Sequence, residues 1–376
     1  MNTAGIYIHF PFCENKCIYC DYYCLENRNS DIDIFTEMLQ KEIELTAKDN
    51  DKDWIFNTIY FGGGSPALLS SKSMHDILDQ LRYYFNTAAN IEVTLEVNPD
   101  ETTEDELGRF KNSGVNRLSF GFQSLNEGLL HTLSRTHNPD HCITIYNNSR
   151  KAGFDNISID MLYNIPGQSV ASWLKDLSKV STLKPDHIAT YPLIIEEDTI
   201  LFQQINSGTI SPVPEETELQ MFTQGSQFLT ESGFTQYEVA HFSKLGKKCQ
   251  HNQHYWKLEP YLAFGPSAHG YDGKKRWWNV SSLDEYLSAL SKNKKPVSGF
   301  ETLSYSDRFN EAVIYGLRTN EGIPTAVLQK HEHNGLIESS LKKWGNYLDI
   351  SSDAIRMKPG HYHLADEIIS EIIMSD

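Results

Sequence analysis

Six short β-rich runs, at residues 5–10, 58–61, 91–97, 117–122, 157–162 and 188–193, alternate with helical patterns through the first half of the chain. Between the first two, Phe35, Met38, Leu39 and Ile43 recur at the spacing of one apolar helix face. Strands separated by helices imply βαβ units and a parallel sheet. The pattern predicts an α/β fold, a partial (β/α)6 barrel of the TIM type, and in such folds the loops that follow the strands open at one mouth where chemistry collects.

The residues placed at that mouth are unusual. Cys13-Glu14-Asn15-Lys16-Cys17-Ile18-Tyr19-Cys20 follows the first run with the spacing CxxxCxxC. Three thiolates on one short loop can hold three irons of a [4Fe-4S] cube and leave the fourth iron open, because such clusters are held by cysteine sulfur. An open iron can chelate the amino and carboxylate groups of S-adenosylmethionine (SAM). An electron passed to the sulfonium then yields a 5'-deoxyadenosyl radical, chemistry that belongs to the cofactor. Cys24 extends the spacing to CxxxCxxCxxxC, so a structural zinc or an ordinary four-thiolate cluster competes. Zinc sites usually split their ligands into two pairs on separate knuckles, and four on one short stretch are cramped. Six cysteines in 376 residues, behind Met1-Asn2-Thr3-Ala4 with no signal-peptide pattern, predict a reducing cytoplasm in which clustered thiols mean metal or catalysis.

SAM presents an ammonium, a carboxylate, a ribose diol and an adenine, and the other strand ends offer partners for them. Gly62-Gly63-Gly64-Ser65-Pro66 after the second run lets backbone approach a ligand, although alone it marks only a tight turn. Glu96, in Glu96-Val97-Asn98-Pro99, can accept from the ammonium or ribose. Gln123 and Arg135 can reach the carboxylate, and Asp160 can take the ribose diol. Each is individually an ordinary polar residue; the shared placement at strand ends is what singles them out.

Composition excludes more than it assigns. A formal net charge of −17 repels polyphosphate, so nucleic acid is not an expected partner. No apolar run approaches the ~20 residues of a membrane span. Beyond residue 199 the pattern loosens into a helix near 215–232, a strand at 236–242 and an aromatic-rich section at 255–278. Lys292-Asn293-Lys294-Lys295-Pro296 reads as a linker. Helical stretches at 307–317, 326–331 and 335–344 then precede a hairpin at 355–364, with Lys358-Pro359-Gly360 at its turn, and a last helix. Helices followed by a β wing suggest a winged-helix-like unit, better suited in an acidic chain to a lid or docking role than to DNA. The expected domains are a core at 1–200, an extension at 201–295 and a helical wing domain at 296–376.

Tyr7-Ile8-His9-Phe10-Pro11-Phe12-Cys13, the cysteine loop, Phe61-Gly62-Gly63-Gly64-Ser65-Pro66, Glu96-Val97-Asn98-Pro99, Ser119-Phe120-Gly121-Phe122-Gln123-Ser124 and Ile159-Asp160-Met161 resemble the oxygen-independent coproporphyrinogen III oxidase family of radical SAM proteins, HemN- and HemW-like, over nearly the whole chain. The resemblance implies cluster ligation by Cys13, Cys17 and Cys20. It implies SAM contacts from Tyr7, Gly63, Gly64, Ser65, Glu96, Gln123, Arg135 and Asp160. Ser65 stands where threonine is frequent, which keeps the hydroxyl.

Three features point to the HemW branch, the haem chaperones. Six residues precede Tyr7, where HemN-type oxidases carry an extension, and Tyr22 occupies the place of their additional cysteine. Cys249-Gln250-His251-Asn252-Gln253-His254-Tyr255-Trp256 resembles the HNxxYW signature, and Phe264-Gly265-Pro266-Ser267-Ala268-His269-Gly270 the segment after it. That branch implies haem as ligand, haem-acceptor proteins as partners and an electron donor for the cluster. His251 is the expected haem ligand, with Cys249 and His254 as competitors, Tyr255 and Trp256 as stacking partners, and Lys247, Lys248 or Arg276 beside the propionates. Oxidative decarboxylation of coproporphyrinogen III to protoporphyrinogen IX is the alternative, and a structural four-cysteine metal protein a further one.

Overall fold

The computed structural model describes residues 2–50, 52–330 and 335–373. Six strands, β1 (Asn2–Phe10), β2 (Trp54–Gly63), β3 (Thr87–Val97), β4 (Arg117–Gln123), β5 (Ile157–Tyr163) and β6 (His187–Pro192), pair in chain order, every pair parallel. Helices α1 (Ile32–Asp49), α2 (Ser71–Tyr84), α3 (Glu104–Ser113), α4 (Glu127–Thr132), α5 (Pro139–Lys151) and α6 (Val170–Thr182) lie in the crossovers. The α/β architecture with a mostly parallel sheet is therefore the one the sequence predicts.

The side-chain period of two divides this sheet by chemistry. Ile6, Ile8 and Phe10 of β1, Val93, Leu95 and Val97 of β3, and Leu118, Phe120 and Phe122 of β4 belong to the apolar core. Phe35, Leu39 and Ile43 of α1 close that core from the helix side. The alternate positions, among them Glu96, Arg117, Ser119, Ser158, Asp160 and His187, line a cavity on the opposite face. Parallel strands buried on both faces ordinarily read as continuous apolar runs; alternation here marks a polar interior.

The sheet continues past both ends of this sextet. Tyr261–Phe264 runs parallel to β1, followed outward by the antiparallel strands His269–Tyr271, Lys275–Asn279 and Val297–Thr302. On the other side His241–Ser243 pairs antiparallel with β6 and with Thr235–Gln236. The strand expected at 236–242 is thus two short strands with a turn between them. Lys292 to Pro296 joins the helix Leu283–Ser291 to the strand Val297–Thr302 of the main sheet.

A second apolar cluster, including Phe309, Val313, Leu317, Ile355 and Ile368, organises the C-terminal region. There Ile323–Pro324, Ala354–Met357 and Leu348–Ile350 form a three-stranded antiparallel sheet flanked by helices. The hairpin lies earlier than expected: Ile350 pairs with Ile355 and Leu348 with Met357, so the reversal falls at Ser351 to Asp353. Lys358-Pro359-Gly360 instead turns the chain into the short helix Tyr362–Leu364. Of the helix expected at 326–331, His331 lies outside the described residues. Among the described residues no helix is long and apolar enough to cross a membrane.

Candidate cofactor site

The loop after β1 is pinned at both ends. Cys13 N donates to Leu25 O at 3.0 Å and Leu25 N to Pro11 O at 2.7 Å, closing a parallel bridge between Phe12 and Leu25. His9 Nε2 faces the carbonyl of Tyr23 at 2.9 Å, which requires the proton on Nε2 and leaves Nδ1 to accept from the Tyr7 hydroxyl at 3.1 Å. The thiols of Cys13, Cys17, Cys20 and Cys24 consequently all border one cavity of about 500 Å³.

The glycine run serves this loop first. Gly64 N donates to Phe10 O and Ser65 N to Phe12 O, each at 2.7 Å. A Cβ on Gly64 would stand 2.3 Å from the Phe12 carbonyl oxygen, and Gly63 has φ +110° with the His9 ring where its Cβ would go. Only glycine lets β1 and β2 approach this closely.

Glu96, from β3, accepts from the Tyr60 hydroxyl at 2.8 Å and from Gly63 N at 3.2 Å. Burial raises its carboxyl to about 7, against the lowering effect of Tyr60. Asp160, from β5, accepts from Ser119 Oγ at 3.1 Å and Ser158 Oγ at 3.0 Å, and burial raises it too. Gln123 ends β4 with φ +64°, beyond a register shift between Gly121 and Gln123. Such an irregularity re-aims the side chain at the end of the strand. Arg135 donates to the Gly121 carbonyl at 3.0 Å and to Cys17 Sγ at 3.3 Å.

Seven of the eight residues expected to meet SAM (Gly63, Gly64, Ser65, Glu96, Gln123, Arg135 and Asp160) line the same cavity as the thiols. Tyr7 stands behind it, its ring 6.2 Å from that of Tyr60, which does line it. Cys24 is no outlier among the thiols. Its hydrogen bond with Cys13 is the main reason its thiol is pushed up to about 12, and its bond with Cys20 raises the latter. All six cysteines are free. Among the described residues no three Cys, His, Asp or Glu side chains converge as a single-ion site.

Two buried charged residues near the site had no motif to announce them. Arg117 is 1% exposed, lines the cavity and has Nε and Nη1 without a hydrogen-bond partner. Glu92 caps the helix Gln250–Trp256, accepting from Gln250 N at 2.9 Å and His251 N at 3.2 Å, where the N-cap Cys249 supplies no side-chain bond. The polar alternation along β3 and β4 was the signal available for both.

The helix so capped carries the HNxxYW residues inward. His251 is 1% exposed, with Nδ1 2.8 Å from Thr58 Oγ1 and Nε2 2.9 Å from the Tyr255 hydroxyl. His254 is equally buried, with Nε2 2.7 Å from Asn57 Oδ1 and Nδ1 2.7 Å from Glu259. Cys249 is 1% exposed. Of this segment Asn252 reaches the cavity.

Comparison with known proteins agrees with this geometry. The radical SAM superfamily profile matches residues 7–180. The heme chaperone HemW of Bacillus subtilis is 31% identical over 319 residues, 84% of each chain. Radical S-adenosyl methionine domain-containing protein 1, mitochondrial, of Danio rerio is 34% identical over 328 residues, covering 85% of this chain and 74% of that one. HemN, the coproporphyrinogen III oxidase of Escherichia coli, superimposes with a TM-score of 0.86 over 99% of this chain and 90% of its own at 21% identity, a likeness of fold. The chain belongs to the HemW/HemN-like family of radical SAM proteins.

Proposed function

We propose that this protein is a HemW-like haem chaperone that binds a [4Fe-4S] cluster, SAM and haem and hands the haem to acceptor proteins in the cytoplasm. The observation that carries the reading is the convergence of the cysteine loop with Gly63, Gly64, Ser65, Glu96, Gln123, Arg135 and Asp160 on one cavity at the carboxyl ends of parallel strands. The donor set fits the cofactors: thiols for iron, buried carboxylates for an ammonium and a ribose diol, a guanidinium for a carboxylate.

Cys13, Cys17 and Cys20 would hold the cluster. When bound, cluster and SAM together supply one-electron chemistry. The chain's own role is to orient and enclose. Glu96, fixed by Tyr60 and Gly63, would orient the ammonium, Asp160 the ribose, and Arg135 the carboxylate. An oxidant-sensitive site and six free thiols suit a reducing compartment. Relatives named heme chaperones, similar across 84% of this chain and more, support haem as the cargo. A domain boundary near 296, with the C-terminal region as a docking or lid unit, belongs to the same proposal.

The test is anaerobic cluster reconstitution followed by parallel haem titration and coproporphyrinogen III turnover. Saturable haem binding with negligible turnover is the expected result. SAM-consuming formation of protoporphyrinogen IX without saturable haem binding would replace the chaperone with the oxidase.

A further inference from the structure

Three residues that the SAM and cluster assignments leave unused form a row ending at the cavity mouth. The Tyr191 hydroxyl lies 2.5 Å from His241 Nε2, and His241 Nδ1 lies 2.6 Å from Glu238 Oε1. The register that pairs Ala189 of β6 with His241 brings the imidazole beneath the tyrosine. Glu238 is fully buried, its other oxygen accepting from Ala240 N at 3.1 Å, and His241 is 4% exposed. Tyr191 is 39% exposed and lines the cavity.

The surroundings of Tyr191 suit a flat, largely apolar ligand. Tyr22 and Ile194, which border the same cavity, are 65% and 63% exposed. Large apolar groups left open together at a cavity mouth mark a binding surface. The residues of the HNxxYW segment that carry ligating atoms offer no such access: Cys249, His251 and His254 are each 1% exposed, His251 has both ring nitrogens hydrogen-bonded inside the protein, and His254 bonds Asn57 through Nε2 with Nδ1 turned toward Glu259.

Resting on the chaperone function proposed above, we propose that Tyr191 is the axial ligand to the iron of the haem cargo, with His241 as the acceptor of its proton and Glu238 as the counter-charge. Tyrosine is an established axial ligand of ferric haem. His241 presents Nε2 to the phenol while its Nδ1 stands 2.6 Å from the Glu238 carboxylate on the far side of the ring. On ligation the phenol O–H bond breaks, the proton passes to Nε2 and the oxygen bonds the ferric iron, with no change in electron count. The resulting imidazolium lies between phenolate and carboxylate. Return of the proton regenerates the phenol, a poor ligand, and frees the iron for an acceptor, so retention and release are one reversible proton transfer.

Ferric haem titrated anaerobically into the reconstituted full chain, read by absorption and resonance Raman, tests this. The parent chain should bind haem stoichiometrically with tyrosinate vibrations. Tyr191→Phe, which removes one oxygen, should abolish them. Tyr191→His should retain haem with an imidazole-type spectrum in their place. His241→Ala should keep the tyrosinate signature with affinity lowered by about tenfold, the usual cost of losing a partner behind a metal ligand. An unchanged spectrum and affinity in Tyr191→Phe would overturn the assignment while leaving the chaperone function standing, and an altered spectrum in His251→Ala alongside it would return the ligand to the buried segment. No saturable haem binding by the parent chain would overturn the function and the assignment together.

Discussion

Arg135 donates from Nη1 to the sulfur of Cys17 across 3.3 Å, joining residues 118 positions apart in the chain. The same guanidinium bonds Asn98 and the Gly121 carbonyl, and Asn98 donates to Ser65 Oγ at 3.1 Å. One side chain therefore ties the cysteine loop to the loop after β3 and to β4 itself, and through Asn98 to the loop after β2. Arg135→Met should lower both iron content after reconstitution and SAM affinity without unfolding the chain. Arg135→Lys should recover some of each, since it keeps the charge and loses the fork. Iron assay and calorimetry read the two effects separately.

The thiols themselves separate two kinds of metal centre. If three thiolates suffice because SAM completes the cluster, Cys13→Ala, Cys17→Ala and Cys20→Ala each abolish the anaerobic iron chromophore and Cys24→Ala retains it. The hydrogen bonds of Cys24 to Cys13 and Cys20 make this a demanding comparison. Loss of the chromophore in Cys24→Ala as complete as in the others, with a spectrum indifferent to SAM, would mean a four-thiolate centre.

Glu96 gives SAM binding a pH dependence with a fixed sign. Its carboxyl titrates near 7 because burial disfavours the charge. An ammonium prefers the ionised form, so affinity should climb as pH rises through about 7 and level off above. Glu96→Gln should flatten that rise, and Asp160→Ala should cost about 1 to 3 kcal/mol by leaving ribose hydroxyls unpaired. Iron content should not change in either, and calorimetry across pH is the measurement.

Glu42 does the corresponding thing to stability. It is 3% exposed, accepts from Gly265 N, Asn279 Nδ2 and the Tyr286 hydroxyl, and is raised by burial from 4.5 to about 7. A carboxyl raised on folding contributes stability that is fully present below 4.5 and lost as pH rises through 7, about 3 kcal/mol over that interval. Urea midpoints of the parent chain measured against Glu42→Gln should therefore converge or cross between those pH values, with the parent losing ground as pH rises. A difference independent of pH would show that Glu42 does not ionise there.

How much of this was legible in the chain depends on the range of the interaction involved. Strand and helix patterns, the thiol spacing and the polar residues at strand ends are local, and βα topology alone is enough to bring strand ends to one mouth, so seven of the eight residues expected around SAM meet there. The C-terminal hairpin shows the limit. Lys358-Pro359-Gly360 announces a turn correctly, yet turn chemistry says where a chain bends and not what pairs, and the pairing of Leu348 with Met357 puts the reversal elsewhere.

Burial and long-range register lie beyond spacing altogether. His251 reads in sequence as an available imidazole; Glu92, 159 residues away, caps the helix that turns it inward, and Thr58 and Tyr255 occupy its nitrogens. Tyr191 and His241, 50 residues apart, meet because of one antiparallel register. Sequence by itself determined the fold class and the cysteine loop, because those follow from conformational preference and covalent spacing. Tertiary structure alone decided which donors face the cavity and which are consumed inside the protein, because accessibility is set by the neighbours that packing supplies.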